Sequence, residues 1–277
     1  MIRITVLCEN SVIIPFGVVG EHGFAAFVET PEGNFLFDTG QGKGILQNSI
    51  ILNKDLSTIK YLVISHGHYD HTMGIPQVLL KKAPLDIYAH PDIFLNRYWI
   101  KDNMPPKFIG IPFKKEYLES IGANFIFKRD FFEIENGVYL SGEIPMETSF
   151  EKVDVNMKVL TNEGNFVQDN LKDDYSLAID TSKGLVILLG CAHAGMVNIL
   201  NHFIEKTGKD KIYAVIGGTH LGFASPEQME NTLKVLDKYK IEKLGVSHCT
   251  GLANSATLFN ILKERFFFAS VGAVIEI

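Results

Sequence analysis

The chain has 277 residues, of which 46% are hydrophobic and 21% charged, an ordinary globular balance that allows one or two domains. A formal net charge of −6 without dense lysine or arginine clusters argues against nucleic-acid binding, and no run of about eighteen apolar residues predicts a membrane span. The three cysteines, Cys8, Cys191 and Cys249, together with a first segment unlike a signal peptide, favour a reducing cytoplasm over a disulfide-bonded secreted fold.

The first part of the chain predicts alternating strands and helices. Short apolar runs predict strands at residues 2–7, 24–29, 34–37, 61–64 and 85–89, and helical patterns lie at 44–52 and 75–82. The turn sequence TPEG at 30–33 joins two of these strands into a hairpin that ends at Asp38. An aspartate in this place is typical of a turn.

The most informative stretch is SHGHYDHTMG at residues 65–74, directly after a predicted strand. It holds His66, His68, Asp70 and His71. Imidazoles and carboxylates are the ligands that zinc, iron and manganese bind. In an extended segment His66 and His68 face the same side, and the turn after them can direct Asp70 and His71 to a different point. The stretch therefore predicts ligands for one metal or for two neighbouring metals.

Residues 90–121 form an irregular segment that contains the only tryptophan, Trp99, and a cluster of prolines. Only a helix at 114–121 is expected within it. Its place after the histidine stretch suits a lid or a substrate wall, and an irregular packing segment is the alternative. Beyond it, strands are predicted at 124–127, 131–135 and 138–140, followed by a polar, turn-rich surface loop at 147–174.

The second half repeats the plan of the first. The predicted elements are a hairpin at 176–180 and 184–189, helices at 195–206 and from Ser225 to about Tyr239, strands at 212–216 and 243–246, and a last helix and a strand at 271–275. Two such halves predict an α/β fold with two sheets face to face and helices outside, a four-layer αββα sandwich. Because neither half holds a whole site, we expect one domain over residues 1–277, with the site between the halves.

Six of the nine histidines come directly after predicted strands. They are His66, His68, His71, His193, His220 and His248. A lone histidine after a strand is more often a satisfied core residue, but strand ends at one edge can bring several together. Cys191 and Cys249 flank two of them, and we interpret both cysteines as small buried packing residues rather than ligands.

The stretch HGHYDH resembles the HxHxDH signature of the metallo-β-lactamase fold superfamily. The resemblance implies one or two divalent metal ions, with zinc first and iron or manganese as alternatives. The ligands implied for the first metal are His66, His68 and His193. Those implied for the second are Asp70, His71 and His248. Asp38, in the sequence FDTG, would support these histidines by orienting their rings.

One strand end departs from the superfamily pattern. Most dinuclear members carry a bridging aspartate between the positions that match His193 and His248, whereas the sequence here is IGGTHL. His220 could replace that aspartate, or the second metal could bind weakly or be absent. A bound cation would lower the pKa of water from about 15.7 towards 7 and polarise a carbonyl or phosphoryl oxygen. Asp70 would guide the proton of the nucleophile, and His220 is the second candidate catalytic residue.

Motifs along most of the chain resemble one subfamily, named for 7,8-dihydropterin-6-yl-methyl-4-(β-D-ribofuranosyl)aminobenzene 5′-phosphate synthase. They are EHGFAAFVE, SGEIP, GCAHAG, GGTHLGF and SHCTG. The resemblance implies that Asn10 and His22 lie at the mouth of a substrate pocket; a turn asparagine and a loop histidine are the alternative. Met146 stands where SGEIP is usually followed by arginine, which could change how an anionic substrate is held.

These features favour a metal-dependent hydrolase or transferase that acts on a small phosphorylated or pterin-like molecule. A general hydrolase of esters, thioesters or phosphodiesters is the first alternative, and a metal-containing sensor or binding protein is the second. The expected partner is a small molecule rather than nucleic acid or a membrane. The sequence leaves the oligomeric state open.

Overall fold

The computed structural model describes residues 1–277, with eighteen strands and seven α-helices. The strands are β1 (Arg3–Cys8), β2 (Ala25–Thr30), β3 (Gly33–Phe37), β4 (Ile59–Val63), β5 (Leu85–Ala89), β6 (Arg97–Trp99), β7 (Lys107–Phe108), β8 (Ala123–Phe127), β9 (Phe132–Glu135), β10 (Val138–Leu140), β11 (Met157–Leu160), β12 (Phe166–Gln168), β13 (Ser176–Ile179), β14 (Leu185–Leu189), β15 (Ile212–Gly218), β16 (Lys243–Ser247), β17 (Phe266–Phe268) and β18 (Val274–Glu276). The helices are α1 (Ile45–Ile51), α2 (Tyr69–Thr72), α3 (Ile75–Leu79), α4 (Lys115–Ser120), α5 (Met196–Thr207), α6 (Pro226–Lys238) and α7 (Leu252–Leu262). Short 3-10 turns are Leu56–Thr58, Pro91–Phe94, Leu221–Phe223, His248–Thr250 and Lys263–Arg265.

None of the helices combines the length and the apolar character needed to cross a membrane.

Two seven-stranded sheets carry the fold. The first has the order β18-β1-β2-β3-β4-β5-β8, and the second has the order β17-β16-β15-β14-β13-β10-β9. Each sheet is antiparallel on one side and parallel on the other. The parallel strands are β3, β4, β5 and β8 in the first sheet, and β14, β15, β16 and β17 in the second. The two halves therefore follow one plan, as the sequence predicts.

Three hydrophobic clusters fill the spaces between the layers. The cluster between the two sheets includes Phe37 and Leu188. A second cluster, which includes Val78, packs the first sheet against α1, α3 and α4. A third, which includes Leu200 and Leu236, packs the second sheet against α5, α6 and α7. Because helices and a second sheet cover both faces of each sheet, the predicted four-layer αββα sandwich is confirmed.

The prediction of a surface loop over residues 147–174 is wrong. In this segment β11 and β12 form a hairpin, and β11 pairs with β6, which pairs with β7, to make a third sheet of four strands. These strands have only two to four residues, and most of their side chains are at least partly exposed. Such strands leave a weak apolar pattern, and β6 is distant in sequence from its partner β11. We call this sheet the wall sheet.

The insertion and the C-terminus differ in detail from the prediction. Within residues 90–121 the structure has β6 and β7 in addition to the expected helix, α4. β17 is a strand that the sequence analysis did not include, and the final strand is β18 rather than residues 271–275. A single domain over residues 1–277 stays a prediction.

Candidate metal centre

Asp38 anchors the loop that follows β4. It lies at the end of β3 with a left-handed φ of 59° and is fully buried. Its two oxygens accept hydrogen bonds from the Ser65 backbone N–H and the Ser65 hydroxyl, each at 2.7 Å. Because this hydroxyl donates to Asp38, its oxygen accepts from Nδ1 of His66 at 2.8 Å. Nδ1 of His71 donates to Asp38 directly at 2.6 Å. Asp38 therefore fixes the orientation of both imidazole rings.

His66, His68 and His193 form a buried cluster that we call the three-histidine group. One nitrogen of each lies within 4.8 Å of the others, and Nε2 of His66 is 2.9 Å from Nδ1 of His68. The buried Nε2 atoms of His68 and His193 have no hydrogen-bond partner. Burial lowers the pKa of all three rings, that of His68 to about 3, and so favours the neutral form that binds metals. These residues fit a divalent cation.

His22, Asp70 and His248 form a second cluster, which we call the Asp70 group. Oδ2 of Asp70 lies 3.1 Å from Nε2 of His22 and 3.2 Å from Nε2 of His248. Burial alone would raise the pKa of Asp70, but hydrogen bonds from the two histidines hold it well below its usual range. Asp70 is therefore a carboxylate, and the three side chains offer ligand atoms within 4.8 Å of one another.

His71 lies near both groups, with its ring centroid 4.3 Å from that of His66 and 5.2 Å from that of His248. One ring nitrogen binds Asp38, and the other is 3.2 Å from Sγ of Cys191. Burial would lower the pKa of His71, but the Asp38 carboxylate raises it to about 9. Its ligand-type neighbours are His66 and Cys191. His22 completes one cluster with Asp70 and His248, and the role of His71 as a ligand of the second metal stays a prediction.

Cys191 and Cys249 each belong to a cluster of ligand-type atoms that lie within 4.8 Å of one another, which a packing role alone does not require. Sγ of Cys191 belongs to one cluster with His66 and His71, and to another with His248 and Cys249. Sγ of Cys249 accepts the backbone N–H of His220 at 3.2 Å and donates to the Cys191 carbonyl at 3.3 Å. Because thiolates bind zinc well, Cys191 is a candidate ligand that the sequence analysis set aside.

Asn10 contacts the two histidines of the Asp70 group, His22 and His248. Its Oδ1 accepts hydrogen bonds from the Gly23 backbone N–H at 3.2 Å and from Nδ1 of His248 at 3.0 Å. A backbone N–H can only donate, so the orientation of the amide is fixed, and with it the orientation of the His248 ring towards Asp70. His22, 53% of whose side chain is exposed, lines the cavity described below.

His220 lies beside the three-histidine group without joining it. Its backbone is left-handed, with φ of 55°, and its ring centroid is 4.5 Å from that of His193 and 5.1 Å from that of Phe223. Its Nδ1 is buried without a partner, and the residue belongs to none of the four clusters with ligand spacing. His220 also lines the cavity described below.

The candidate ligands open into one cavity of about 980 Å³. Those that line it are His22, His68, Asp70, Cys191, His193, His248 and Cys249. The wall sheet and the segments beside it contribute Trp99 and three lysines, Lys101, Lys107 and Lys152. Phe223 lies among the lining residues as well. The cavity therefore combines a histidine-rich floor with aromatic faces and with charges of both signs, since Glu151 and Asp154 line it as well as the lysines.

Three acidic residues accept hydrogen bonds from the backbone of the ligand loops and were not predicted as site residues from the sequence. Glu9 accepts the backbone N–H of His248 at 2.7 Å. Asp173 and Asp174 accept the backbone N–H groups of Gly67 and Ala194, each at 2.8 Å. The signal that could have indicated the last two is an acidic pair directly before the strand predicted at 176–180.

Comparisons with known proteins agree with this geometry. Residues 18–148 match the family model of the metallo-beta-lactamase superfamily. The 7,8-dihydropterin-6-methyl-4-(beta-D-ribofuranosyl)-aminobenzene-5'-phosphate synthase of Methanocaldococcus jannaschii is 34% identical over 270 residues, which are 92% of this chain and 90% of that protein. An uncharacterized protein of the same organism is 29% identical over 278 residues, 99% of this chain and 100% of that one.

Solved structures show the same fold. Tm1679, described as a metal-dependent hydrolase of the beta-lactamase superfamily, has a TM-score of 0.85 at 26% identity, over 100% of this chain and 99% of that one. Zn²⁺-bound PqqB from Methylobacterium extorquens has a TM-score of 0.59 at 12% identity, over 99% and 100%, a likeness of fold alone.

The four-layer sandwich with ligand-type residues at one edge defines a class of fold that implies a divalent metal. The chain belongs to the metallo-beta-lactamase superfamily, in the subfamily of the Methanocaldococcus jannaschii synthase. Four clusters in the structure could hold the metal, and the three-histidine group is the one whose buried nitrogens most clearly lack other partners.

Proposed function

We propose that this protein is a metal-dependent enzyme that acts on a small phosphorylated or pterin-like molecule through a metal-activated water. The observation that carries the proposal is the three-histidine group, whose neutral, buried rings come from both halves and border a large cavity. The identity of 34% to the synthase, over most of both chains, supports a related substrate. The free cysteines support a reducing location such as the cytoplasm.

The chain's own side chains have separate tasks in this proposal. His66, His68 and His193 would hold the cation, which supplies a Lewis acid and lowers the pKa of water. Asp70, kept ionised by its histidine neighbours, would take or guide the proton of the nucleophile. His220, beside His193, would hold an oxygen of the substrate.

The cavity supports a small, anionic, partly planar substrate. Its volume of about 980 Å³ lies at the upper end of the range for small-molecule sites. Lys101, Lys107 and Lys152 bring positive charges to the lining, together with the carboxylates of Glu151 and Asp154, although the chain as a whole carries −6. A phosphate group suits these ammonium groups, and a heterocycle could stack on Trp99 or Phe223.

The first test is metal analysis of protein purified without chelator, followed by turnover assays with dihydropterin and phosphoribosyl substrates. We expect metal-dependent turnover that His68→Ala abolishes. His202→Ala is the matched control, because His202 is a buried histidine that bonds the Ser141 carbonyl, outside the candidate clusters. Tight ligand binding without turnover, at full metal occupancy, would contradict the proposal and favour a sensor or binding protein.

A general metallohydrolase is the second candidate function. The likeness to Tm1679, at 26% identity and a TM-score of 0.85, favours it because that protein is described as a metal-dependent hydrolase. Chromogenic esters and phosphodiesters assayed under the same conditions separate the two candidates. Turnover of these compounds without conversion of the dihydropterin and phosphoribosyl substrates would favour the general hydrolase.

A further inference from the structure

A short acidic segment holds both ligand loops of the three-histidine group. Oδ2 of Asp173 accepts the Gly67 backbone N–H at 2.8 Å, between His66 and His68 in the chain. The backbone N–H of Tyr175 donates to the Ser65 carbonyl at 2.8 Å. Oδ2 of Asp174 accepts the backbone N–H of Ala194, next to His193, at 2.8 Å. Residues 173–175 therefore join the loop from the first half to the loop from the second half.

Arg97 ties this segment to the wall sheet. It belongs to β6 and is fully buried. Its Nη2 donates to Oδ1 of Asp173 at 2.7 Å, its Nε donates to Asp169 at 2.8 Å, and its Nη1 donates to the Ile93 carbonyl at 3.3 Å. A buried guanidinium with two carboxylates is costly to break, because each partner would be left as an unpaired charge.

Gly67 shows how closely the ligand loop lies against Arg97. A Cβ at position 67 would be 2.0 Å from the Ile93 carbonyl oxygen and 2.5 Å from Nη1 of Arg97. Only glycine fits such a close approach. The next residue but one, Tyr69, donates its backbone N–H to the Ile109 carbonyl at 3.0 Å, so the loop contacts the insertion a second time.

We propose that Arg97 and Asp173 are positioning residues of the metal centre. Through the Gly67 amide they fix the relative placement of His66 and His68, and through β6 they connect that placement to the wall of the cavity. Neither residue lines the cavity. The proposal rests on the metal-dependent function proposed above, but it concerns metal retention and not the identity of the substrate.

The test is the rate at which zinc leaves the protein for a chromophoric chelator, measured for Asp173→Asn and Arg97→Lys. We expect dissociation from the three-histidine group to become about ten- to a hundredfold faster, the usual effect of removing a partner that orients metal ligands. Asp237→Asn and Arg265→Lys are matched controls, because Arg265 donates to Asp237 at 2.6 Å outside the cavity. These controls should release zinc at the wild-type rate.

Thermal unfolding with and without zinc separates a positioning role from a purely structural one. We expect zinc to raise the melting temperature of Asp173→Asn less than it raises that of the wild type. The proposal would be overturned if the variants release zinc at the wild-type rate and differ only in a lower melting temperature. Arg97→Lys keeps the buried positive charge, so its zinc release decides the matter if Asp173→Asn does not fold. Zinc retention by the wild type without turnover of any substrate would contradict only the proposed function.

Discussion

The three-histidine group and the Asp70 group border the same cavity but are held in different ways. In the first, the Nε2 atoms of His68 and His193 are buried and have no hydrogen-bond partner. In the second, Oδ2 of Asp70 already contacts two imidazoles. A cation that enters the first group replaces the single contact between Nε2 of His66 and Nδ1 of His68, whereas a cation at Asp70 must replace two. The three-histidine group should therefore fill first and bind the metal more tightly.

The largest effect is expected from His193→Ala, which removes one ligand of the tighter group. Zinc binding at this group should be lost, and turnover should fall about a thousandfold or more, since a metal supplies several kcal/mol of transition-state stabilisation. Elemental analysis and steady-state kinetics measure the two effects. His202→Ala is again the control. If His193→Ala binds as much zinc as the wild type, the three-histidine group is not the tighter metal site.

A smaller effect is expected from Asp70→Asn, which changes the weaker group. A zinc competition titration of the wild type should show a tight step and a weaker one, and Asp70→Asn should weaken the second step about tenfold or more while leaving the first nearly unchanged. Its turnover should also fall, because the proton-guiding carboxylate is lost. Loss of both binding steps in this variant would show that the two groups act as one site.

The three lysines that line the cavity should affect substrate binding and leave both metal groups unchanged. Replacing Lys101, Lys107 and Lys152 together by methionine should raise KM for a phosphorylated substrate about tenfold, and the effect should shrink as salt increases. Lys158→Met is the matched control, because Lys158 lies on the same sheet, in β11, but does not line the cavity. An equal KM for phosphorylated and unphosphorylated substrates in the wild type would contradict this assignment.

The smallest effect is expected from Ser225→Ala, which serves as a baseline for stability alone. The Ser225 hydroxyl oxygen accepts the backbone N–H of Gln228 at 3.1 Å at the start of α6. Removing this cap should lower the free energy of unfolding by about 1 kcal/mol. Chemical denaturation measures that loss, and zinc titration should show both binding steps unchanged. A changed titration would mean that metal affinity follows global stability rather than the local contacts compared above.

The sequence predicted the parts of the site that depend on local geometry. Ligand-type residues at 66, 68 and 70 follow one strand within a few positions, and the repeated plan of the halves placed His193 and His248 at matching strand ends. The placement of His22 beside Asp70 could not be predicted in the same way, because it depends on side-chain rotamers and on Asn10.

The wall sheet was missed for a different reason. Its strands are short and partly exposed, and β6 pairs with β11 across a large sequence separation, so periodicity alone gives a weak signal. Arg97 and Asp173 were overlooked with it. An arginine in the sequence is normally exposed, and only the folded structure shows that this one is fully buried between two carboxylates.

Anomalous diffraction at the zinc edge, from crystals of the protein prepared without chelator and supplied with zinc, would locate the metal directly. The expected result is a strong peak about 2.0–2.1 Å from one nitrogen each of His66, His68 and His193. A map with no peak among these three rings, while zinc binds elsewhere on the chain, would contradict the central claim that histidines from both halves converge on one metal.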